Sequence, residues 1–157
     1  METLVLRSAI QYDPKVGGFA VQDINSKEKK YLKISFISQG LGEELFTEHM
    51  RFIESFNAAA KWDKPTMVLA MIINLFSRDR PGLTNKKVVE NAEGRYSMLL
   101  QAYMRSKYSF HEASTLYPKL LLKLTDVRSY GEMSAQHVAQ VAPQDMEPLL
   151  KDIFSMH

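Results

Sequence analysis

The sequence predicts an all-α domain carrying one small β-hairpin. Three observations support that expectation. Apolar residues recur at helical spacing through most of the chain. The β-like pattern is confined to two short runs near the start. A composition of 45% hydrophobic and 24% charged over 157 residues suits one globular domain with a sizeable core.

Met1 to Gln11 has the pattern of a helix, stopped by Asp13-Pro14 and Gly17-Gly18. It opens with no capping residue ahead of it, which suits either an internal start or a frayed first turn. Phe19 to Gln22 and Tyr31 to Ile34 form the hairpin, joined through Asp23 to Lys30 with a turn at Asn25-Ser26. Gly40 and Gly42 mark the next boundary. From Glu43 to about Ala60, Leu45, Phe46, Met50, Ile53 and Phe56 repeat at helical spacing among Glu43, Glu44, Glu48 and Glu54. Asp63 is placed to cap the following helix, and Pro65 is tolerated in its first turn, where a missing donor costs nothing. That helix, Pro65 to Phe76, is apolar on nearly every side and is expected at the centre of the core. Arg78 to Gly82 is a loop, and Thr84 is expected to cap a helix running to about Ser106. Ser114 is expected to open the last long helix, with Pro118 in its first turns, continuing to about Val141. Ala142 to Asp145 breaks the pattern, and a short amphipathic helix from Glu147 to Phe154 closes the chain.

Several function classes are excluded or disfavoured. A net charge of +2 gives no concentrated basic face for nucleic acid, and the stretch Lys27 to Lys30, interrupted by Glu28, reads as a solvated loop. Cysteine is absent, which removes disulfide frameworks, thiolate zinc sites and cysteine nucleophiles. No signal-peptide pattern is visible. The longest apolar stretch, Met67 to Phe76, contains Asn74 and falls far short of the roughly 20 residues that span a bilayer, so a soluble protein is expected. No phosphate loop, His-Glu-x-x-His pair, nucleophile elbow or telling carboxylate dyad occurs, so neither a catalytic nor a metal site is assigned. The histidines, His49, His111, His137 and His157, are scattered over different elements.

Three features remain. Arg7 stands among apolar neighbours in Leu4-Val5-Leu6-Arg7-Ser8-Ala9-Ile10, where a guanidinium needs a partner if it is buried. It either reaches solvent, pairs with an acid such as Glu2, or anchors a polar group of an otherwise apolar ligand. Leu149, Leu150, Ile153 and Phe154 share one face of a terminal helix too short to hold itself together, so its stability must come from docking. The docking is either permanent or conditional. Leu120-Leu121-Leu122-Lys123-Leu124 with Val127 is apolar on two sides, one of them a candidate dimer seam.

Taken together with Asp79-Arg80-Pro81-Gly82-Leu83, Tyr117-Pro118-Lys119-Leu120-Leu121, Leu124-Thr125-Asp126-Val127-Arg128-Ser129 and Pro148-Leu149-Leu150-Lys151-Asp152-Ile153-Phe154, these features resemble a nuclear-receptor ligand-binding domain from Glu2 to Phe154. The resemblance implies an antiparallel helical sandwich whose N-terminal helices would lie before Met1. Residues 1–157 would form one incomplete ligand-binding domain, with 147–154 as its C-terminal activation helix. Leu149, Leu150, Asp152, Ile153 and Phe154 would bind a coactivator's Leu-x-x-Leu-Leu-type helix, Asp152 standing where the family has the longer glutamate of its charge clamp. Leu-Val-Leu-Arg-Ser is similar to the vitamin D receptor branch and its invertebrate relatives, which include a nematode receptor for dafachronic (bile-acid-like) steroids. From that branch Arg7 takes the role of ligand anchor, and Leu4, Ser8, Phe19, Leu45 and His49 those of pocket positions. Leu41 and Ser134 stand where the vitamin D receptor has ligand-binding histidines, a departure that argues against vitamin D itself. His137, one turn beyond Ser134, either serves a different head group or faces solvent.

The same branch pairs Glu in the opening helix with Arg in the Asp-Arg-Pro-Gly loop, and Asp of that loop with Arg in the dimer helix. Glu2, Arg80, Asp79 and Arg128 match those places. The resemblance thus implies dimerisation through Leu120, Leu121, Leu124 and Arg128, with a retinoid X receptor-like partner or a second copy. It further implies a steroid-like ligand and no other cofactor, DNA contact only through a zinc-finger domain outside this chain, no membrane association, and a nuclear location. A receptor whose pocket is filled by its own side chains (Phe19, Phe46, Met50 and Met133 are large enough) and a helical interaction scaffold are the alternatives.

Overall fold

The computed structural model describes residues 2–22, 29–35 and 42–141. Its elements are α1 (Glu2–Gln11), β1 (Tyr12–Asp13), β2 (Gly18–Gln22), β3 (Lys29–Lys33), α2 (Glu43–Ala59), α3 (Lys64–Leu75), α4 (Lys86–Lys107) and α5 (Phe110–Val141). The fold is mostly helical, with one small antiparallel sheet in the order β1-β2-β3. The turn at Asn25-Ser26, Leu41 and the terminal helix expected at 147–154 lie outside the described residues.

The sheet is one strand larger than the expected hairpin. Asp13 is followed by a turn in which its carbonyl accepts from Val16 N (3.3 Å) and Gly17 N (2.9 Å), and Gly17 takes a positive φ of 62°. The chain therefore folds straight back, and Tyr12 pairs with Phe19 while Phe19 also pairs with Leu32. Asp13-Pro14, which ends the helical pattern, also closes this extra strand. At Gly18 a side chain would meet the Leu32 carbonyl oxygen at 2.9 Å, so only glycine lets β2 and β3 approach here.

The position at the centre of the core belongs to α1. It packs on α2, α3 and α5, burying Val5, Leu6 and Ala9. The more apolar α3 buries Met67, Ala70 and Ile73 but leaves Val68 and Leu75 exposed, because its outer face has no neighbour among the described residues. Phe56 and Ile53 of α2, Leu100 and Met104 of α4, and Leu120 and Val127 of α5 complete the core.

Caps fix the helix ends. Asp63 accepts from the Thr66 backbone N–H at 3.1 Å and the Thr66 hydroxyl at 2.6 Å, as its place before Pro65 suggested. The α4 cap is Asn85, which accepts from Val88 N at 3.3 Å, rather than Thr84. The last helix starts at Phe110, not Ser114. Ser109 Oγ accepts from Glu112 N at 3.3 Å and Glu112 Oε2 accepts from Ser109 N at 3.3 Å, a reciprocal box that closes the first turn a full turn earlier than expected. Between α2 and α3, Lys61 and Trp62 both adopt positive φ, and Trp62 N donates to the Asn57 carbonyl at 2.8 Å. This turn brings α3 back along the molecule. Among the described residues no helix is long and apolar enough to cross a membrane.

Candidate functional site

Where α1, β2, α2 and α5 meet, polar side chains gather inside an aromatic lining. Ser8 of α1 donates its hydroxyl to the Val5 carbonyl at 2.7 Å, and its oxygen lies 3.1 Å from His49 Nε2 on α2. The His49 ring is flanked by Phe19 of β2 at 6.3 Å and Tyr130 of α5 at 5.4 Å between centroids. Tyr130 stacks on Phe52 at 6.2 Å, and its hydroxyl donates to the Leu45 carbonyl at 3.5 Å. Ser134, one turn after Tyr130, donates to the Tyr130 carbonyl at 2.8 Å and is itself buried.

The electrostatics follow from burial. His49 is 8% exposed, and desolvation holds its imidazole down at about 4, below the usual 6.5. It is therefore neutral at physiological pH. Its Nδ1 is buried and has no hydrogen-bond partner among the described residues. Burial also pushes the Tyr130 hydroxyl up, so it stays protonated and able to donate.

The structure thus brings Ser8, Phe19, Leu45, His49 and Ser134 into one neighbourhood. Leu4 and Arg7 lie on the open face of α1 beside it, Leu4 being 56% exposed. Arg7 makes no hydrogen bond or ion pair among the described residues, and the expected alternative partner, Glu2, is engaged elsewhere. Neither side chain is used by the core. His137 is half-buried in a groove of about 290 Å³ that it lines with Gly42, Glu43, Leu45 and Met133. Tyr130 escaped the sequence reading, although its place one turn before Ser134 puts both on the same helix face.

A second constellation joins the start of α1 to the Arg78–Gly82 loop and α5. Glu2 Oε2 accepts from Arg80 Nη2 at 3.0 Å and from Asn74 Nδ2 at 2.8 Å. Arg128 donates to Ser77 Oγ at 2.8 Å and lies 3.9 Å from both Glu2 Oε1 and Asp79 Oδ2. Both expected pairs, Glu2 with Arg80 and Asp79 with Arg128, are therefore present. Leu121 and Leu124 line a groove of about 230 Å³ beside them. Leu120 departs from its expected role. Its side chain is fully buried in the core, because the inner stripe of α5 runs through Leu120 and Val127, and it is Leu122, 66% exposed, that faces outward. The residues expected to bind a coactivator, Leu149, Leu150, Asp152, Ile153 and Phe154, lie outside the described residues.

No family model matches the chain. Nuclear hormone receptor HR96 of Drosophila melanogaster is 28% identical over 156 residues, 99% of this chain and 21% of that protein. Thyroid hormone receptor beta of Danio rerio is 29% identical over 98% of the chain and 38% of its own length. The vitamin D3 receptor of Xenopus laevis is 34% identical over 93 residues, 56% of the chain and 22% of the receptor. The chain thus spans between about a fifth and two-fifths of the length of these curated relatives, which are receptors and not enzymes. The chain is thus similar, over nearly its whole length, to nuclear hormone receptors, and its mostly helical fold with a small sheet agrees with that likeness.

Proposed function

We propose that this chain is the ligand-responsive part of a nuclear transcription factor, and that it takes a steroid-like ligand against the Leu4-Arg7-Ser8 face of α1. The observation that carries this reading is the unspent Arg7. A guanidinium with no partner among the described residues stands on the exposed face of α1, next in sequence to Ser8, whose hydroxyl meets His49, and this suits an apolar body with one polar or acidic end. A bile-acid-like steroid acid has that form. The ligand's binding energy would favour a docked terminal helix over a loose one, by no more than its differential affinity for the two states. The docked helix, with Leu149, Leu150, Ile153 and Phe154 as its apolar face and Asp152 as the clamp acid, would then receive a coactivator's Leu-x-x-Leu-Leu helix. The Glu2–Arg80 and Asp79–Arg128 pairs support dimerisation along α5 with a retinoid X receptor-like partner.

In the full-length protein, Asp152→Lys is expected to abolish recruitment of a Leu-x-x-Leu-Leu peptide while leaving ligand binding intact. Retained peptide affinity in that variant defeats the groove assignment. A second reading has its own support. The rings of Phe19, His49, Tyr130 and Phe52 already pack on one another at 5.4 to 6.3 Å, as in a pocket filled by side chains. Native mass spectrometry separates the two, a co-purified lipid favouring the first.

A further inference from the structure

The Ser8 hydroxyl carries one proton, and its position decides what His49 offers to a ligand. The Val5 carbonyl, 2.7 Å from Ser8 Oγ, can only accept, so that contact uses the Ser8 proton. The Ser8 oxygen then has only lone pairs to present to His49 Nε2 at 3.1 Å. A hydrogen bond there requires the Nε2–H tautomer, with the proton on the side of α1. Nδ1 is left as a bare acceptor, and it is the Nδ1 atom that has no partner among the described residues, in a side chain more than nine-tenths buried.

We propose that His49 Nδ1 is a specificity-determining acceptor of the ligand site, and that the ligand group seated against it is a hydrogen-bond donor, a hydroxyl in preference to a ketone or an ether. The inference rests on the ligand reading of this site given above. An acceptor left dry costs more than a paired one gains, so the discrimination falls on the ligand that arrives without a donor. A ketone would place its oxygen lone pairs against those of Nδ1. The neutral state of the ring keeps it from switching to a second donor, because the charged form is disfavoured by burial. His49 thereby differs in kind from Arg7, which can only donate. The site has one pole for an acidic or carbonyl oxygen and one for a hydroxyl.

The test uses the full-length protein and four probes, androstane-type steroids with a hydroxyl or a ketone on ring A, and the same choice on ring D. Affinities are compared within each matched pair, so either orientation in the site is covered. The expected result is a preference of roughly 10-fold or more for the alcohol in at least one pair, lost in His49→Phe, which keeps an aromatic ring and removes the acceptor. Ser8→Ala provides a second variant that leaves His49 in place. Without an acceptor for Nε2–H the ring is free to present Nδ1–H, and the preference should weaken or turn toward the ketone. Nitrogen-15 NMR of the unliganded protein should show His49 protonated on Nε2. Equal binding of alcohol and ketone, a preference that survives in His49→Phe, or a proton found on Nδ1 each overturns the assignment while leaving a ligand site intact. Failure of all four probes to bind, with Arg7→Ala indistinguishable from wild type, overturns the site reading and this assignment together.

Discussion

Keeping the His49 imidazole neutral inside the fold has a cost that depends on pH. Its folded-state value of about 4 lies below the 6.5 of an unfolded chain, so the unfolded state binds a proton first as the solution is acidified. Above pH 6.5 the group is neutral in both states and costs nothing. Between 6.5 and 4 stability falls, and below 4 the loss is complete. A depression of this size corresponds to about 3 kcal/mol. Urea midpoints measured across this range should therefore drop more steeply in wild type than in His49→Phe, and parallel curves would contradict the burial argument. His49 was singled out only through the family resemblance. Its bonding to Ser8 was not, because that contact joins α1 to α2 across 41 positions of sequence and no local pattern reports it.

Helices were read well from their periodicity and less well at their ends. Thr84 and Asn85 are both good capping residues, and sequence cannot say which of two neighbours turns its side chain toward the helix. Ser114 suits a cap by type, yet the reciprocal Ser109 and Glu112 pairing sets the start of α5. The serine-x-x-glutamate spacing was there to be found. At Asp63 local chemistry and structure agree. Burial tends to raise its carboxyl, but hydrogen bonds from Lys107 and Thr66 outweigh that and hold it below the usual carboxylate range. Asp63→Ala should cost about 1–2 kcal/mol of stability, whereas Asp63→Asn keeps the cap and should lose less. Equal losses in both variants, measured by chemical denaturation, would show that the charge of Lys107 matters more than the cap. The extra strand β1 was missed because two residues are too few to show alternation.

At the scale of the whole molecule, Glu2 holds three segments together, since α1, the end of α3 with its loop, and α5 all meet at one carboxylate. It is mostly buried, while Arg80 and Arg128 are about a third exposed, so removing it strands charges that water can partly reach. Glu2→Ala is expected to destabilise by about 2 kcal/mol, with Arg80→Ala costing much less in that background than in wild type. Additive losses would mean that the two residues act independently. Gly131 sharpens the constraint, because a side chain there would come within 3.2 Å of Glu2 Cγ and press on the same junction. The meeting of α1 and α5 also bears on synthesis. On the ribosome, α5 emerges on the order of 10 s after α1 at ordinary elongation rates. Through that interval Val5, Leu6 and Ala9 lack the α5 surface they finally pack on, which makes the nascent chain a natural client for a chaperone until α5 is released.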